Sequence, residues 1–230
     1  MLNDNKTAHM ASEYDEKINA TIPYYNLFHS ETIDLVKTID PMPAIWLDTG
    51  CGTGTFGVSA CEIFKNTRFV LADPSNEMLA IAKGKITKTG DFRIEVLEAA
   101  STQDIRLPDK SFDIITAIQA HHYMDREVRK TATENCFRML KSGGTYITFE
   151  NIRPFSETGS KVGLERWKRF QLKEGKSLAE AEKHAARFGQ EYFPITIEEH
   201  LRLLKEAGFS TVEVFWVSYM QAGFYALKEC

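Results

Sequence analysis

The chain has few cysteines, and they show no pattern typical of a metal site or of a disulfide framework. Cys51, Cys61, Cys136 and Cys230 include no C-x-x-C pair and have no regular spacing. Small folds held together by disulfides or by structural zinc need such spacings, so both classes are excluded as interpretations of this sequence. We therefore expect no metal site and a reducing compartment, the cytoplasm, as the location of the protein.

Long apolar runs and an excess of positive charge are also missing. The first 17 residues are polar and acidic, which predicts no secretory signal, and no apolar run approaches the roughly 18 residues of a membrane-spanning helix. The 28 lysine and arginine residues are outnumbered by 32 aspartate and glutamate residues, which gives a formal charge of −4. Because no basic field would attract nucleic acid or an anionic membrane, a small-molecule partner is favoured.

The length and composition fit one globular domain over residues 1–230. A chain of 230 residues with 43% hydrophobic and 26% charged residues can bury most of its apolar surface in one core. These quantities do not distinguish a monomer from a homodimer.

Strand-like and helix-like segments alternate through the first 150 residues. Short apolar runs typical of buried parallel strands occur at 44–47, 69–72, 93–97, 112–118 and 145–150. Helical spacing of apolar residues occurs at 30–39, 56–64, 75–82 and 125–140, with Ser75 as a candidate N-cap. We expect the last of these helices to end in the cationic, glycine-containing turn at 141–144. The alternation predicts a mostly parallel sheet that binds ligands beyond the carboxyl ends of its strands.

The second part of the chain breaks this alternation. Residues 152–194 are rich in charge and helical in pattern, with a capping box beginning at Ser177, and we interpret them as an inserted helical cover. A second capping box begins at Thr196 and opens a helix expected to end at Gly208. Two further strands, at 211–217 and 223–227, are predicted to follow.

A glycine-rich loop follows the first predicted strand, at a place where a backbone without side chains can approach a ligand closely. It contains two overlapping patterns, Gly50-x-Gly52-x-Gly54 and Gly52-x-Gly54-x-x-Gly57, and the second has the spacing of dinucleotide-binding loops. Asp73, 21 residues beyond Gly52, could accept hydrogen bonds from a ribose diol. Since S-adenosylmethionine and NAD both carry that diol, Asp73 predicts an adenosine ligand without choosing between them.

Asp48 distinguishes the two ligands by charge. It comes directly before the glycine loop, at the end of the first predicted strand. A carboxylate in this place would repel a pyrophosphate, whereas it would attract the sulfonium and ammonium groups of S-adenosylmethionine. The charge of Asp48 therefore favours the sulfonium cofactor over NAD.

Three segments, in the expected order, resemble motifs of the class I, Rossmann-like S-adenosylmethionine-dependent methyltransferases. Residues 45–54 are similar to the first motif of that family, and residues 107–115 are similar to its fourth-strand motif. Residues 138–144 are similar to the end of the helix before its fifth strand, with Ser142 in place of a common proline. The resemblance implies methyl transfer from S-adenosylmethionine to a small-molecule acceptor, with S-adenosylhomocysteine as the product.

The two ends of the chain indicate a branch of that family. Residues 20–25 and 199–209 are similar to segments of carboxy-S-adenosylmethionine synthase and related small-molecule methyltransferases. The resemblance implies an α/β fold, a Rossmann-like three-layer sandwich. Its sheet would be mostly parallel and seven-stranded, with an antiparallel C-terminal strand and a helical cover.

The resemblance also implies which residues hold the cofactor. Tyr25 matches a tyrosine that lies against the cofactor, and Asp73 matches the ligand of the ribose hydroxyls. Pro74 and Met78 would line one side of the adenine. After the third strand the family often has a glycine and an acidic residue, whereas this chain has neither between 100 and 103, so a hydroxyl, an amide or the backbone would meet the adenine amino group. The implied cofactor-binding residues are Tyr25, Asp48, Gly50, Gly52, Gly54, Asp73, Pro74, Met78, Ser101, Thr102, Ala117 and Gln119.

Polar residues follow the fourth strand, where the methyl donor and the acceptor should meet. Methyl transfer requires alignment of the nucleophile and, for some acceptors, removal of a proton. Since a histidine can act as that base, His121 and His122 are candidate catalytic residues, with packing or support of the cofactor loop as the alternative. Zinc binding is not expected, because adjacent histidines seldom converge on one ion. Glu150 and Asn151, at the end of the fifth strand, form a second group that could reach the acceptor.

Other functions stay open beside methyl transfer. A carboxy-S-adenosylmethionine synthase needs a cation for its added carboxylate, but Leu203 matches the position of that family's arginine, and Arg202 points about 100° away on a helix. A tRNA-modifying enzyme is disfavoured because the sequence shows no motif of the Asn-Pro-Pro-Tyr type. A cofactor-binding partner subunit without activity would be expected to lose the glycine loop, which is intact here.

Overall fold

The computed structural model describes residues 4–229, so Cys230 lies outside the described residues. Its strands are β1 (Ile45–Thr49), β2 (Arg68–Ala72), β3 (Ile94–Val96), β4 (Phe112–Ile118), β5 (Leu140–Asn151), β6 (Thr211–Ser218) and β7 (Gln221–Leu227). They form one seven-stranded sheet in the order β3-β2-β1-β4-β5-β7-β6. Neighbours from β3 to β5 pair in parallel, whereas β7 pairs antiparallel with β5 and β6. The predicted sheet is confirmed.

Helices lie on both faces of this sheet. They are α1 (Tyr14–Lys17), α2 (Tyr25–Ile39), α3 (Thr55–Ile63), α4 (Asn76–Thr89), α5 (Arg126–Met139), α6 (Glu157–Lys173), α7 (Leu178–Ala186) and α8 (Ile197–Glu206). Successive strand residues point to opposite faces, so Trp46 packs with α2 and α3 while Leu47 packs with α5 and α8. Both side chains are fully buried, and the three-layer sandwich is thereby confirmed. No helix among residues 4–229 is long and apolar enough to cross a membrane.

The helix starts follow the capping residues in the sequence. The Ser75 hydroxyl accepts a hydrogen bond from Met78 N at 3.1 Å and caps α4 as predicted. Both predicted capping boxes are present, with Ser177 at the start of α7 and Thr196 at the start of α8. Each cap supplies an acceptor to backbone N–H groups that the first helical turn leaves without a partner.

The predicted end of α5 is wrong. The helix ends at Met139, and the turn predicted at 141–144 instead belongs to β5, because Leu140 has an extended backbone and pairs with Phe112 of β4. Regular pairing resumes only at Thr145, so residues 141–144 form an irregularity within the strand. The apolar Leu140 side chain is also fully buried in the core. Smaller differences are an earlier start of α2, at Tyr25, and a β3 that spans only 94–96.

Residues 152–194 contain α6 and α7 and contact the N-terminal part of the chain. The Trp167 indole and the Gln171 amide both donate to the backbone oxygen of Thr21, at 2.7 and 3.0 Å. These hydrogen bonds join α6 to the residues before α2.

The glycine loop joins β1 to α3, and its last glycine is required by packing. Gly54 has a φ of +73°, and a Cβ atom there would lie 2.9 Å from Cβ of Ala82 in α4.

We expect Gly54→Ala to lower the free energy of unfolding by about 2–4 kcal/mol, because strain at positive φ adds to a clash between helices. Gly90→Ala is the matched control, since Gly90 has a φ of +67° but open space around it, and about 1 kcal/mol is expected. Urea unfolding measures the free energy of unfolding of both variants, and an equal decrease in the two would contradict the packing role of Gly54.

Candidate functional site

A cavity of about 380 Å³ opens at the carboxyl ends of β1, β2 and β4. Its volume is within the range of small-molecule sites, roughly 300–1,000 Å³. Most of the residues predicted to bind the cofactor line it, namely Tyr25, Asp48, Gly50, Gly52, Asp73, Pro74, Met78, Ser101, Thr102 and Gln119. The topology thus brings together residues from four separate loops and from two helices.

The glycine loop forms the floor of the cavity. Gly50 and Gly52 have φ values of +67° and +54°, a region of backbone conformation that favours glycine. A Cβ atom on Gly50 would lie 2.4 Å from Cβ of Ala120, so the loop packs directly against the segment after β4. A Cβ atom on Gly52 would meet nothing within 4 Å, which leaves that side of the loop open to a ligand.

The Asp73 carboxylate is held in a fixed orientation at the end of β2. Its two oxygens accept hydrogen bonds from Gly52 N and Ser75 N, each at 2.9 Å. Burial raises the pKa of Asp73 from its ordinary value, while these two N–H donors oppose the change. Each carboxylate oxygen keeps a further lone pair, so Asp73 can still accept hydrogen bonds from a ligand hydroxyl.

Asp48 is buried with much less support. It is 2% exposed, and Thr116 is its one hydrogen-bond donor among the described residues, at 2.7 Å. Thr116 in turn accepts a hydrogen bond from the Trp46 indole at 3.0 Å. Burial raises the pKa of Asp48 to about 7, with the Thr116 hydrogen bond opposing the rise and the Asp73 charge adding to it. A cation in the cavity would stabilise the ionised form of this carboxyl group.

Two predicted cofactor residues do not line the cavity. Gly54 packs against Ala82, as described above, and Ala117 is fully buried in the core, where its backbone oxygen accepts a hydrogen bond from Thr148. Thr102 lines the cavity, but its hydroxyl also lies 2.7 Å from the Thr49 hydroxyl. These residues shape the strand ends that carry the site.

The candidate catalytic histidines are also outside the cavity lining. Both ring nitrogens of His121 have partners within the protein, the hydroxyls of Thr102 and Tyr146, each at 3.1 Å. Burial lowers the pKa of His121 to about 4. The Nδ1 atom of His122 lies 2.7 Å from the Oε2 atom of Glu150, and both side chains are only 1% exposed. The geometry favours the alternative interpretation, support of the loop after β4.

Glu150 ties this loop to β5. Its carboxylate accepts hydrogen bonds from the backbone N–H groups of His121 and His122, at 3.0 and 2.9 Å, and from the Thr148 hydroxyl at 2.8 Å. Burial alone would raise its pKa, but the hydrogen bond and charge of His122 outweigh that effect and bring it to about 2. Glu150 therefore points into the protein and not toward an acceptor.

Several cavity-lining residues were not predicted as site residues. They are aromatic or N-terminal, and include Tyr14, His29 and the segment 4–7. His29 and Tyr25 are four residues apart on α2, with ring centroids 5.2 Å apart. Their i, i+4 spacing was the one available signal, since it places both rings on one face of a helix.

Known proteins are similar to this chain in sequence and in fold. Residues 47–144 match the model of a family described as a methyltransferase domain. Over 217 residues the chain is 25% identical to the carboxy-S-adenosyl-L-methionine synthase of Campylobacter lari, an alignment that covers 92% of this chain and 90% of that relative.

Two solved structures have the same fold. A SAM-dependent methyltransferase of Thermotoga maritima matches with a TM-score of 0.64 at 18% identity, over 97% of this chain and 99% of that one. Phosphoethanolamine N-methyltransferase 2 of Haemonchus contortus, solved in complex with S-adenosyl-L-methionine, matches with a TM-score of 0.68 at 15% identity. The match covers 97% of this chain but 58% of that protein, so the chain spans a little over half of its length.

Removing the charge of Glu150 should destabilise the protein. Glu150→Gln keeps the size but leaves one oxygen for the donors, so we expect the free energy of unfolding at pH 7 to fall by about 2–4 kcal/mol. Because folding lowers the pKa of this carboxyl group, its contribution is present above the ordinary value of 4.5 and is lost as the pH falls toward 2. In urea unfolding, the difference between wild type and variant should narrow below pH 4.5.

Glu213→Gln is the control, because Glu213 is exposed on β6. We expect it to change the free energy of unfolding by less than about 0.5 kcal/mol. If Glu150→Gln lowers the free energy of unfolding no more than Glu213→Gln does, the buried Glu150 carboxylate does not stabilise the fold.

Proposed function

We propose that this member of the class I, Rossmann-like methyltransferases binds S-adenosylmethionine in the cavity and transfers its methyl group to a small-molecule acceptor. The observation that carries the proposal is the sparsely supported Asp48 carboxylate, buried in a wall shared with the glycine loop and Asp73. The bound cofactor would supply a methyl group on a cationic sulfur. The residues of the chain bind it, orient it and exclude water.

The adenosyl half is assigned to the β2 side of the cavity. Asp73 accepts hydrogen bonds from the ribose hydroxyls while Gly52 N and Ser75 N keep its carboxylate in place. Met78 is 1% exposed and presents an apolar surface to one side of the adenine. Ser101 and Thr102, on the loop after β3, lie on the other side.

The methionine half is assigned to the ends of β1 and β4. Asp48 faces the positive charge of the sulfonium and ammonium groups, which replaces the missing donors around that carboxylate. Gln119, Gly50 and Tyr25 line the same part of the cavity. A dinucleotide would bring a pyrophosphate beside Asp48, and the repulsion disfavours NAD.

The cavity walls favour a small acceptor in place of a macromolecule. The N-terminal segment crosses the opening, where Asp4 is hydrogen-bonded to the Ser75 hydroxyl and the Lys6 backbone oxygen accepts a hydrogen bond from Arg187 at 2.6 Å. The net charge of −4 disfavours nucleic acid as a partner. We further propose that residues 1–230 act as a single cytoplasmic domain, with 152–194 as its insertion.

Carboxy-S-adenosylmethionine synthesis is the second candidate, and the 25% identity to that synthase favours it. Such a reaction needs a cation near the transferred carbon to hold the added carboxylate. Leu203 faces a small separate cavity beside Glu150, and among the described lining residues of the main cavity Lys6 is the one lysine or arginine. This charge distribution supports methyl transfer.

Calorimetric titration with S-adenosylmethionine, S-adenosylhomocysteine and NAD tests the proposal. We expect the two adenosyl sulfur compounds to bind, and Asp73→Ala to weaken both by about 1–3 kcal/mol through lost charge-assisted hydrogen bonds. Asp34→Ala, an exposed aspartate on α2, is the control and should change neither affinity. Tight binding of NAD without a response to S-adenosylhomocysteine would overturn the proposal.

The preference for the sulfonium should depend on pH through Asp48. Because the pKa of Asp48 without a ligand is about 7, acidification below pH 7 protonates the carboxylate before it can meet the cation. We expect the affinity for S-adenosylmethionine, relative to that for uncharged-sulfur S-adenosylhomocysteine, to fall several-fold from pH 8 to pH 6. Asp48→Asn should abolish this pH dependence. A ratio of the two dissociation constants that stays constant with pH in the wild type would show that Asp48 does not face the sulfonium.

A further inference from the structure

Three tyrosine side chains from separate segments meet in the cavity. Tyr14 lies on α1, Tyr25 begins α2, and Tyr123 lies on the short turn after β4. The hydroxyl oxygens of Tyr14 and Tyr25 are 3.3 Å apart. Tyr123 lines the same cavity as these two tyrosines. We refer to Tyr14, Tyr25 and Tyr123 as the tyrosine cluster.

The tyrosine cluster borders the end of the cavity that contains Asp48. Asp48 and Tyr25 both line this cavity, and burial together with the negative charge of Asp48 raises the pKa of the Tyr25 phenol. The positive charge of Arg187, whose Nε atom donates to Glu191, opposes the rise in the pKa of Tyr123 that burial causes. On the proposed function, this is the end at which the methyl group leaves the sulfur.

The charges around the cavity disfavour an anionic acceptor. Four aspartates line it, whereas Lys6 is the one lysine or arginine among its described lining residues. The four are Asp4, Asp48, Asp73 and Asp125. A cation bound before the reaction compensates these charges. If the acceptor is uncharged, the positive charge passes to the methylated product and stays in the cavity. An anionic acceptor would give an uncharged methylated product and leave the carboxylates without a counter-charge.

On the proposed function the Asp48 carboxylate pairs with the cofactor cation, and the tyrosines and histidines near it offer no effective base for a hydroxyl acceptor. Burial raises the pKa of Tyr25 and of Tyr123 to about 12, so both phenols keep their protons. Burial lowers the pKa of His29 to about 4, which makes its imidazole a weak base. His121 and His122 do not line the cavity: both ring nitrogens of His121 and the Nδ1 atom of His122 bond to groups inside the protein, and the Nε2 atom of His122 is buried. An acceptor that reacts without losing a proton suits these surroundings best.

We propose that the tyrosine cluster is the acceptor subsite and that it takes a planar molecule with an uncharged aromatic nitrogen. The nitrogen lone pair forms the new N–C bond while the C–S bond breaks and its electron pair goes to sulfur, so the cationic charge moves from sulfur to nitrogen and no proton is released. Phenol oxygens and ring faces stabilise that charge. The inference rests on the proposed function, because it needs the methyl donor beside Asp48.

Probes that share a fused two-ring frame test this subsite. The protein is saturated with S-adenosylhomocysteine and titrated by calorimetry with quinoline, with the N-methylquinolinium cation and with 1-naphthoate. We expect both nitrogen compounds to bind at least tenfold more tightly than the carboxylate. With S-adenosylmethionine present, mass spectrometry should show methylation of quinoline and none of 1-naphthol, whose hydroxyl would need a base.

Single substitutions separate the subsite from general effects on the fold. Tyr123→Phe should weaken binding of N-methylquinolinium about fivefold while the affinity for S-adenosylhomocysteine stays the same. Tyr225→Phe removes a phenol on β7 that does not line the cavity and should change neither affinity. A carboxylate that binds as tightly as quinoline, no binding of either nitrogen compound, or an unaffected Tyr123→Phe variant would overturn the inference. Intact binding of S-adenosylmethionine in that case would leave the proposed function standing.

Discussion

The cost of burying carboxylates at the ends of the strands determines how this site is built. A buried ionised group is tolerated only where donors or a counter-charge replace the lost water. Glu150 and Asp73 meet this requirement within the protein, through backbone N–H groups and neighbouring side chains. Asp48 does not, because Thr116 is its one donor among the described residues. Asp48 is therefore the carboxylate for which a cationic ligand would supply the missing counter-charge.

The same requirement explains why the two histidines after β4 face inward. The Glu150 carboxylate accepts hydrogen bonds from the backbone N–H groups of both residues and is hydrogen-bonded to the ring of His122. These bonds fix the short turn that contains the two histidines. With the turn held from inside, the next residue, Tyr123, lies in the wall of the cavity. A pair of residues that looks catalytic in the sequence thus supports the residue beside it. Positioning of the turn and not proton transfer is the role that the geometry favours.

The parts of this protein that could be predicted from its sequence depend on short-range patterns. The strands, the capped helix starts, the glycine loop and the aspartates at the ends of β1 and β2 each follow from a few adjacent residues, and the parallel sheet follows from the alternation of strands with helices. The end of α5 could not be predicted, since the cationic residues and glycines at 141–144 are equally typical of a helix end. Pairing of Leu140 with Phe112, far apart in the sequence, decided that boundary.

On the proposed function, the methyl-donor half and the acceptor half of the cavity also differ in how far the sequence predicts them. The donor half comes from loops that follow successive strands, so one motif places several of its residues at once. The proposed acceptor half joins Tyr14, Tyr25 and Tyr123, and the segment before α2 is held by hydrogen bonds from α6 to Thr21 across about 150 positions of sequence. No local pattern encodes such a contact. Because the acceptor side depends on these long-range contacts, the acceptor must be inferred from the assembled structure.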